Sequence, residues 1–159
     1  MRICIAAVGK LKDLERDFVD RYVKRFDAAG RSLSLGPLRI VELGESRAQT
    51  AVERKNEESL RLLRTVEGCE FSIALDEGGH TMTSAAFAEL LAKKRDQGVA
   101  HIGFLIGGPD GHGQPVRETA RAMQSLSAMT MPHGLARIML VEQLYRAATI
   151  LAGHPYHRA

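Results

Sequence analysis

The chain has 159 residues, of which 45% are hydrophobic and 26% charged, with a net charge of +3. That length closes one core and is too short for two, so a single domain over 1–159 is expected. The apolar content excludes a disordered chain, and no apolar run approaches the ~18 residues of a membrane span.

Arg2–Val8 is short, apolar and partly β-branched, and Gly9 ends it, so it reads as a buried strand. Lys10, Lys12, Asp13 and Glu15 follow at once, so no secretory leader is expected. Residues 12–29 form a predicted helix with Leu14, Phe18, Tyr22 and Phe26 four apart on the inward face, ended by Gly30. Leu38–Leu43, between Pro37 and Gly44, is a second strand. Thr50-Ala-Val-Glu53 has the form of a capping box and opens a helix to about residue 66. Gly68 precedes a third strand at 71–75, and residues 76–79 make a loop at its C-terminal end. Ser84–Asp96 is a third helix, with Phe87, Leu90 and Leu91 inward. Residues 100–106 form a continuous apolar strand, followed by Gly107-Gly-Pro-Asp-Gly-His-Gly113. Pro115 suits a first helical turn, and a helix is expected to about residue 124. Residues 127–131 read as a short fifth strand stopped by Pro132, and residues 134–151 as a long last helix with a tail behind it.

Strands alternate with helices, and the strands are apolar throughout. This predicts an α/β fold: a mainly parallel sheet with helices on both faces. Cys4 and Cys69 sit in apolar, strand-like runs and read as buried free thiols of a reduced, cytoplasmic protein.

The charge is unevenly placed. Residues 1–116 carry 17 basic and 17 acidic side chains. The remainder has Arg117, Arg121, Arg137, Arg146 and Arg158 against Glu118 and Glu142. Arginine suits bidentate contacts to phosphate, so this cluster reads either as a face for an anionic partner or as a solvated surface.

Ligands of parallel sheets bind at the C-terminal ends of the strands, which directs attention to the loops after Leu75, after Ile106 and around Met131. The glycine loop allows close backbone approach, and Gly108 is expected to leave room for a ligand. It lacks the Gly-Lys-Ser/Thr of a phosphate loop and the third glycine of a dinucleotide fingerprint, and Pro109 removes an N–H. An uncharged group such as a nucleoside is therefore expected there at least as much as a phosphate. The segment 125–132 mixes hydroxyl and apolar side chains, which can cover the flat face of a ligand. His154 and His157 lack further ligands nearby, so no metal is expected. Glu142 and Arg146, four apart on a helix, read as an ion pair.

Four stretches in this order resemble one known family: Leu105-Ile-Gly-Gly-Pro-Asp-Gly111, Ser125-Leu-Ser-Ala-Met-Thr-Met-Pro-His133, Glu142-Gln-Leu-Tyr-Arg-Ala147 and His154-Pro-Tyr-His-Arg158. They are similar to the RlmH (YbeA) family, the ribosomal RNA large-subunit methyltransferases H of the SPOUT superfamily. The resemblance implies a SPOUT fold with a C-terminal trefoil knot and a homodimer. It implies methyl transfer from S-adenosylmethionine to N3 of a pseudouridine in helix 69 of 23S rRNA, on the assembled 70S ribosome. By motif, the implied cofactor residues are Leu75, Gly107, Gly108, Leu126, Ser127, Ala128, Met129, Thr130, Met131 and Pro132. His133, Glu142, Tyr156 and His157 are the candidates for a general base. The tail is implied to lie by the partner's cofactor site, with Tyr156 stacking on a base and Arg158 meeting phosphate. Pro155 is expected to turn this tail away from the last helix. Two other readings fit the residues: a nucleotide-binding α/β enzyme of another kind, and a non-catalytic ribosome-binding dimer.

Overall fold

The apolar runs become five parallel strands in the computed structural model, which describes residues 1–158. The elements are β1 (Arg2–Val8), α1 (Asp13–Gly30), β2 (Leu38–Leu43), α2 (Ala51–Thr65), β3 (Phe71–Thr81), α3 (Ser84–Asp96), β4 (His101–Ile106), α4 (Gln114–Thr119), β5 (Ala122–Ser125) and α5 (His133–Leu151). Single turns of tighter helix follow α1 (Arg31–Leu33) and α5 (Pro155–His157). The strand order is β2-β1-β4-β3-β5, and each neighbouring pair runs parallel.

Both sheet faces are covered, which is why the strands need apolar residues on both sides. On one face Ile3, Ile5 and Ala7 pack with Tyr22 and Phe26 of α1, Phe87 and Leu91 of α3, and Leu140 and Leu144 of α5. On the other, Ala6 and Val8 meet Leu62 of α2 and Val116 of α4. Thr50 caps α2 with the expected reciprocal bonds to Glu53.

Several boundaries differ from the sequence expectation. The inward stripe of α1 is Val19, Tyr22 and Phe26, whereas Leu14 is 83% exposed and Phe18 37%. Spacings of three and four keep one face inward, while a strict spacing of four drifts around the helix. Gly30 does not end α1 in a left-handed turn; its φ is −74°, and Ser34 takes the left-handed conformation instead. A side chain at Gly30 would put its Cβ 2.5 Å from the Leu35 carbonyl oxygen. The expected loop 76–79 belongs to a longer β3, which shifts register between Leu75 and His80. A Cβ at Gly79 would lie 2.6 to 2.8 Å from backbone atoms of Met123 and Gln124, so only glycine lets β5 pair so closely there. The helix expected to reach residue 124 stops at Thr119, and the fifth strand is Ala122–Ser125, not 127–131. Tertiary pairing decides this: Arg121 N–H donates to the Ser72 carbonyl, and β5 continues along β3. The hydroxyl-rich segment beyond is a loop, turned by the Ser127 hydroxyl accepting from Met129 N–H at 3.0 Å.

One buried ion pair ties α5 to the sheet. Arg137 is 1% exposed. It meets Glu42 of β2 at 2.6 Å and donates to the carbonyls of Val8 at 3.3 Å and Gly9 at 2.9 Å. Burial works against its charge and Glu42 offsets that. The same carboxylate accepts from Leu11 N–H at 2.6 Å and from Arg16 at 3.1 Å. Arg137 is therefore not part of a face for an anionic partner. Arg137→Ala leaves the Val8 and Gly9 carbonyls without this donor while Glu42 keeps Leu11 N–H and Arg16, and urea denaturation should show a loss of about 1–3 kcal/mol.

Candidate active site

The middle of β3 where its register shifts, the C-terminal end of β4, the glycine loop and the segment after β5 enclose a cleft of about 710 Å³. Leu75, Gly107, Gly108, Leu126, Ser127, Met129, Thr130, Met131 and Pro132 line it, and so does His133 at the start of α5. Of the residues expected there, Ala128 alone is absent from the lining; it is exposed on the loop's outer side. His133 stacks over Gly9, where a Cβ would come within 2.6 Å of Nε2 and the φ of +95° also favours glycine.

Helix α2 holds the glycine loop from below. Arg54 pairs with Asp110 at 2.8 Å, and the Ser59 hydroxyl accepts from Gly113 N–H at 2.8 Å. Between them Glu58 is buried. One carboxylate oxygen accepts from Ser46 N–H at 3.1 Å, and the other has no partner. Burial pushes the Glu58 carboxyl above its usual range. Inside the loop His112 is 2% exposed, and its Nε2 donates to the Leu75 carbonyl at 3.0 Å, joining the ends of β3 and β4. Burial holds His112 below its ordinary pKa, outweighing the opposite pull of Asp76. Arg117 closes the far wall by pairing with Asp76 at 2.8 Å.

A family model described as predicted SPOUT methyltransferase matches residues 1–157. Curated relatives named ribosomal RNA large subunit methyltransferase H, from Xanthobacter autotrophicus and Bradyrhizobium diazoefficiens, are 48% and 47% identical over 160 aligned residues. Both alignments cover 100% of this chain and 100% of the relative. The chain belongs to this family of SPOUT methyltransferases.

Not every candidate residue lies in this cleft. Glu142, Tyr156 and His157 form a second cluster on α5 and the tail, together with Tyr22 of α1. The Tyr156 hydroxyl is 3.0 Å from that of Tyr22 and donates to Glu142 at 3.2 Å. Glu142 pairs with Arg146 at 2.5 Å, as the spacing of four predicts. The Tyr156 ring sits 4.6 Å from that of Tyr145, centroid to centroid. Burial, then the bond to Tyr22 and the charge of Glu142, push the Tyr156 hydroxyl far above its ordinary pKa. The tail therefore folds back on α5 and does not extend away. Within the chain the Tyr156 ring stacks on protein. Arg158 is exposed. Of the C-terminal arginines, Arg117, Arg137 and Arg146 are each paired with a carboxylate of the same chain, which leaves Arg121 and Arg158 exposed.

Sequence reading missed Asp76, Glu77, Asp110, His112 and Arg117 as lining residues, and α2 as the support of the loop. The histidine within a glycine run was a visible signal; its partner, the Leu75 carbonyl, lies 37 positions away. Among the described residues no group of three or more His, Cys, Asp or Glu is placed to hold a metal ion.

Gly108 lines the cleft, as expected, and also packs under the loop. A Cβ there would lie 2.5 Å from the unpartnered Glu58 oxygen and 3.0 Å from Val8, not in the cleft. Its lack of a side chain serves the packing under the loop. Gly108→Ala should destabilise the fold, and adding Glu58→Ala should recover part of that loss. A double-mutant cycle by urea unfolding checks this, and purely additive losses would refute it.

Proposed function

We propose that the cleft binds S-adenosylmethionine and that the chain methylates N3 of a pseudouridine in helix 69 of 23S rRNA, within the 70S ribosome. The observation that carries this reading is the meeting of Leu75, Gly107, Gly108, Leu126, Ser127 and residues 129–132 around one cavity beside His133. The donor set fits this cofactor. Leu75, Ile106, Leu126 and Met131 offer apolar walls to a flat base, Pro109 removes a phosphate-binding N–H, and the cleft carboxylates suit a cationic ligand. The trefoil knot implied by the family goes with this reading, as does the cytoplasm, where ribosomes are.

The bound cofactor supplies a methyl group activated on a sulfonium sulfur. The chain's own residues position the acceptor and handle its proton. Pseudouridine N3 carries an imide proton that leaves as the methyl arrives. His133 is the base candidate that the fold brings into the cleft of its own chain. General-base assistance contributes roughly 10²–10⁴-fold, and in-line positioning of the two reactants contributes more. The test is a labelled-methyl assay on 70S ribosomes from cells lacking this protein. Label should enter 23S rRNA at one pseudouridine. Ribosomes that stay unlabelled by a protein that binds the cofactor would favour the non-catalytic ribosome-binding reading.

The second cluster, Glu142, Tyr156 and His157, reaches a cleft only if another copy supplies it. Its surroundings favour such a copy. Leu14 and Phe18 of α1 and Leu135 and Met139 of α5 are exposed, and the two helices start side by side, with Glu15 and Leu11 against Gly134. Exposed apolar side chains gathered on neighbouring helices mark an interaction surface. In this dimer Arg158 meets RNA phosphate beside the partner's cleft. Light scattering should show a dimer at micromolar concentration, and Leu14→Asp with Met139→Asp should yield a folded monomer without methyl transfer. A wild-type monomer would refute the interface.

A further inference from the structure

We propose that Glu77 is the charge by which the cleft prefers its sulfonium cofactor to the demethylated product. The inference rests on the cofactor reading above. Three carboxylates line the cleft: Asp76, Glu77 and Asp110. Asp76 is neutralised by Arg117 at 2.8 Å, and Asp110 by Arg54 at 2.8 Å. Glu77 has no basic partner among the described residues; its Oε2 accepts only from the Thr130 hydroxyl, at 2.6 Å. Of the two histidines in the lining, His112 is held toward its neutral form by burial, and His133 packs on Gly9. One uncompensated negative charge is left at the rim.

S-adenosylmethionine carries a sulfonium, an ammonium and a carboxylate. When the methyl moves to the pseudouridine nitrogen, the electrons of the broken S–CH₃ bond stay on sulfur and the nitrogen loses its proton to the base. The thioether product is therefore one positive charge poorer than the cofactor. A fixed carboxylate at the rim attracts the first more than the second, with no change in shape. Glu77 is exposed, so solvent and salt weaken the effect to a few-fold. The residue also has a second, neutral task. Through Thr130 it ties the loop 126–132 to the end of β3, and that tie acts on cofactor and product alike.

The two tasks separate by substitution. Glu77→Gln keeps an acceptor for Thr130 and removes the charge. Thr130→Val keeps the charge and removes the tie. Calorimetric affinities for S-adenosylmethionine and S-adenosylhomocysteine should show the preference for the cofactor falling about threefold in Glu77→Gln, with product affinity nearly unchanged. In Thr130→Val both affinities should fall by a common factor. Raising the salt concentration should erode the wild-type preference and leave Glu77→Gln unaffected. Equal losses for both ligands in Glu77→Gln, or none, would overturn the proposal. Wild-type protein that binds neither ligand would overturn the cofactor reading, and this inference with it.

Discussion

The contact between Arg137 and Glu42 sets the position of the N-terminal end of α5 over the sheet. Arg137 lies one turn into α5, and its guanidinium reaches the ends of both β1 and β2. The N-terminus of α5 cannot slide along the sheet without separating this ion pair and the two carbonyl bonds of a buried guanidinium. His133 and the covering loop hang from that N-terminus. Their place at the cleft is thus held by a residue that does not itself line it.

The glycine loop has an equivalent support in α2. Arg54, Glu58 and Ser59 fall on one face of that helix and meet Asp110, Gly108 and Gly113 in turn. A loop rich in glycine is costly to order, and three contacts from a capped helix offset that cost. His112 adds a strut across the loop to β3. The glycines that pack against these side chains are steric requirements of the support. The cleft is what the support leaves open.

Much of this was legible in the chain. Periodicity placed α2, α3, α5 and the first four strands, because their apolar patterns and caps agree with their surroundings. Strand apolarity on both faces was enough for a parallel sheet, and the rule that ligands sit at strand ends pointed to the three loops that enclose the cleft. The failures share a cause. Ala122–Ser125 carries no strong strand pattern; pairing with β3 across Gly79 makes it a strand. Segment 127–131 has a strand-like look, but its residues are spent on covering the cleft. Arg137 and Glu142 read alike as helix charges, yet Arg137 is sealed in the core, since its partner Glu42 lies 95 residues away. Folding of the tail onto Tyr22 has the same origin, an interaction 134 residues apart.

The strand order carries a consequence for how the chain is made. β1 is complete within the first eight residues, but its inner neighbour β4 begins at His101. Until then the central apolar strand can pair only with β2. The Arg137–Glu42 pair closes over a separation of 95 residues, and α5 seals one sheet face last. At roughly 5–20 residues per second, the nascent chain spends many seconds with that apolar face open. Contacts so far apart in sequence slow closure further after release. The sheet face under α5 is therefore the last part of the core to be covered as the chain is made.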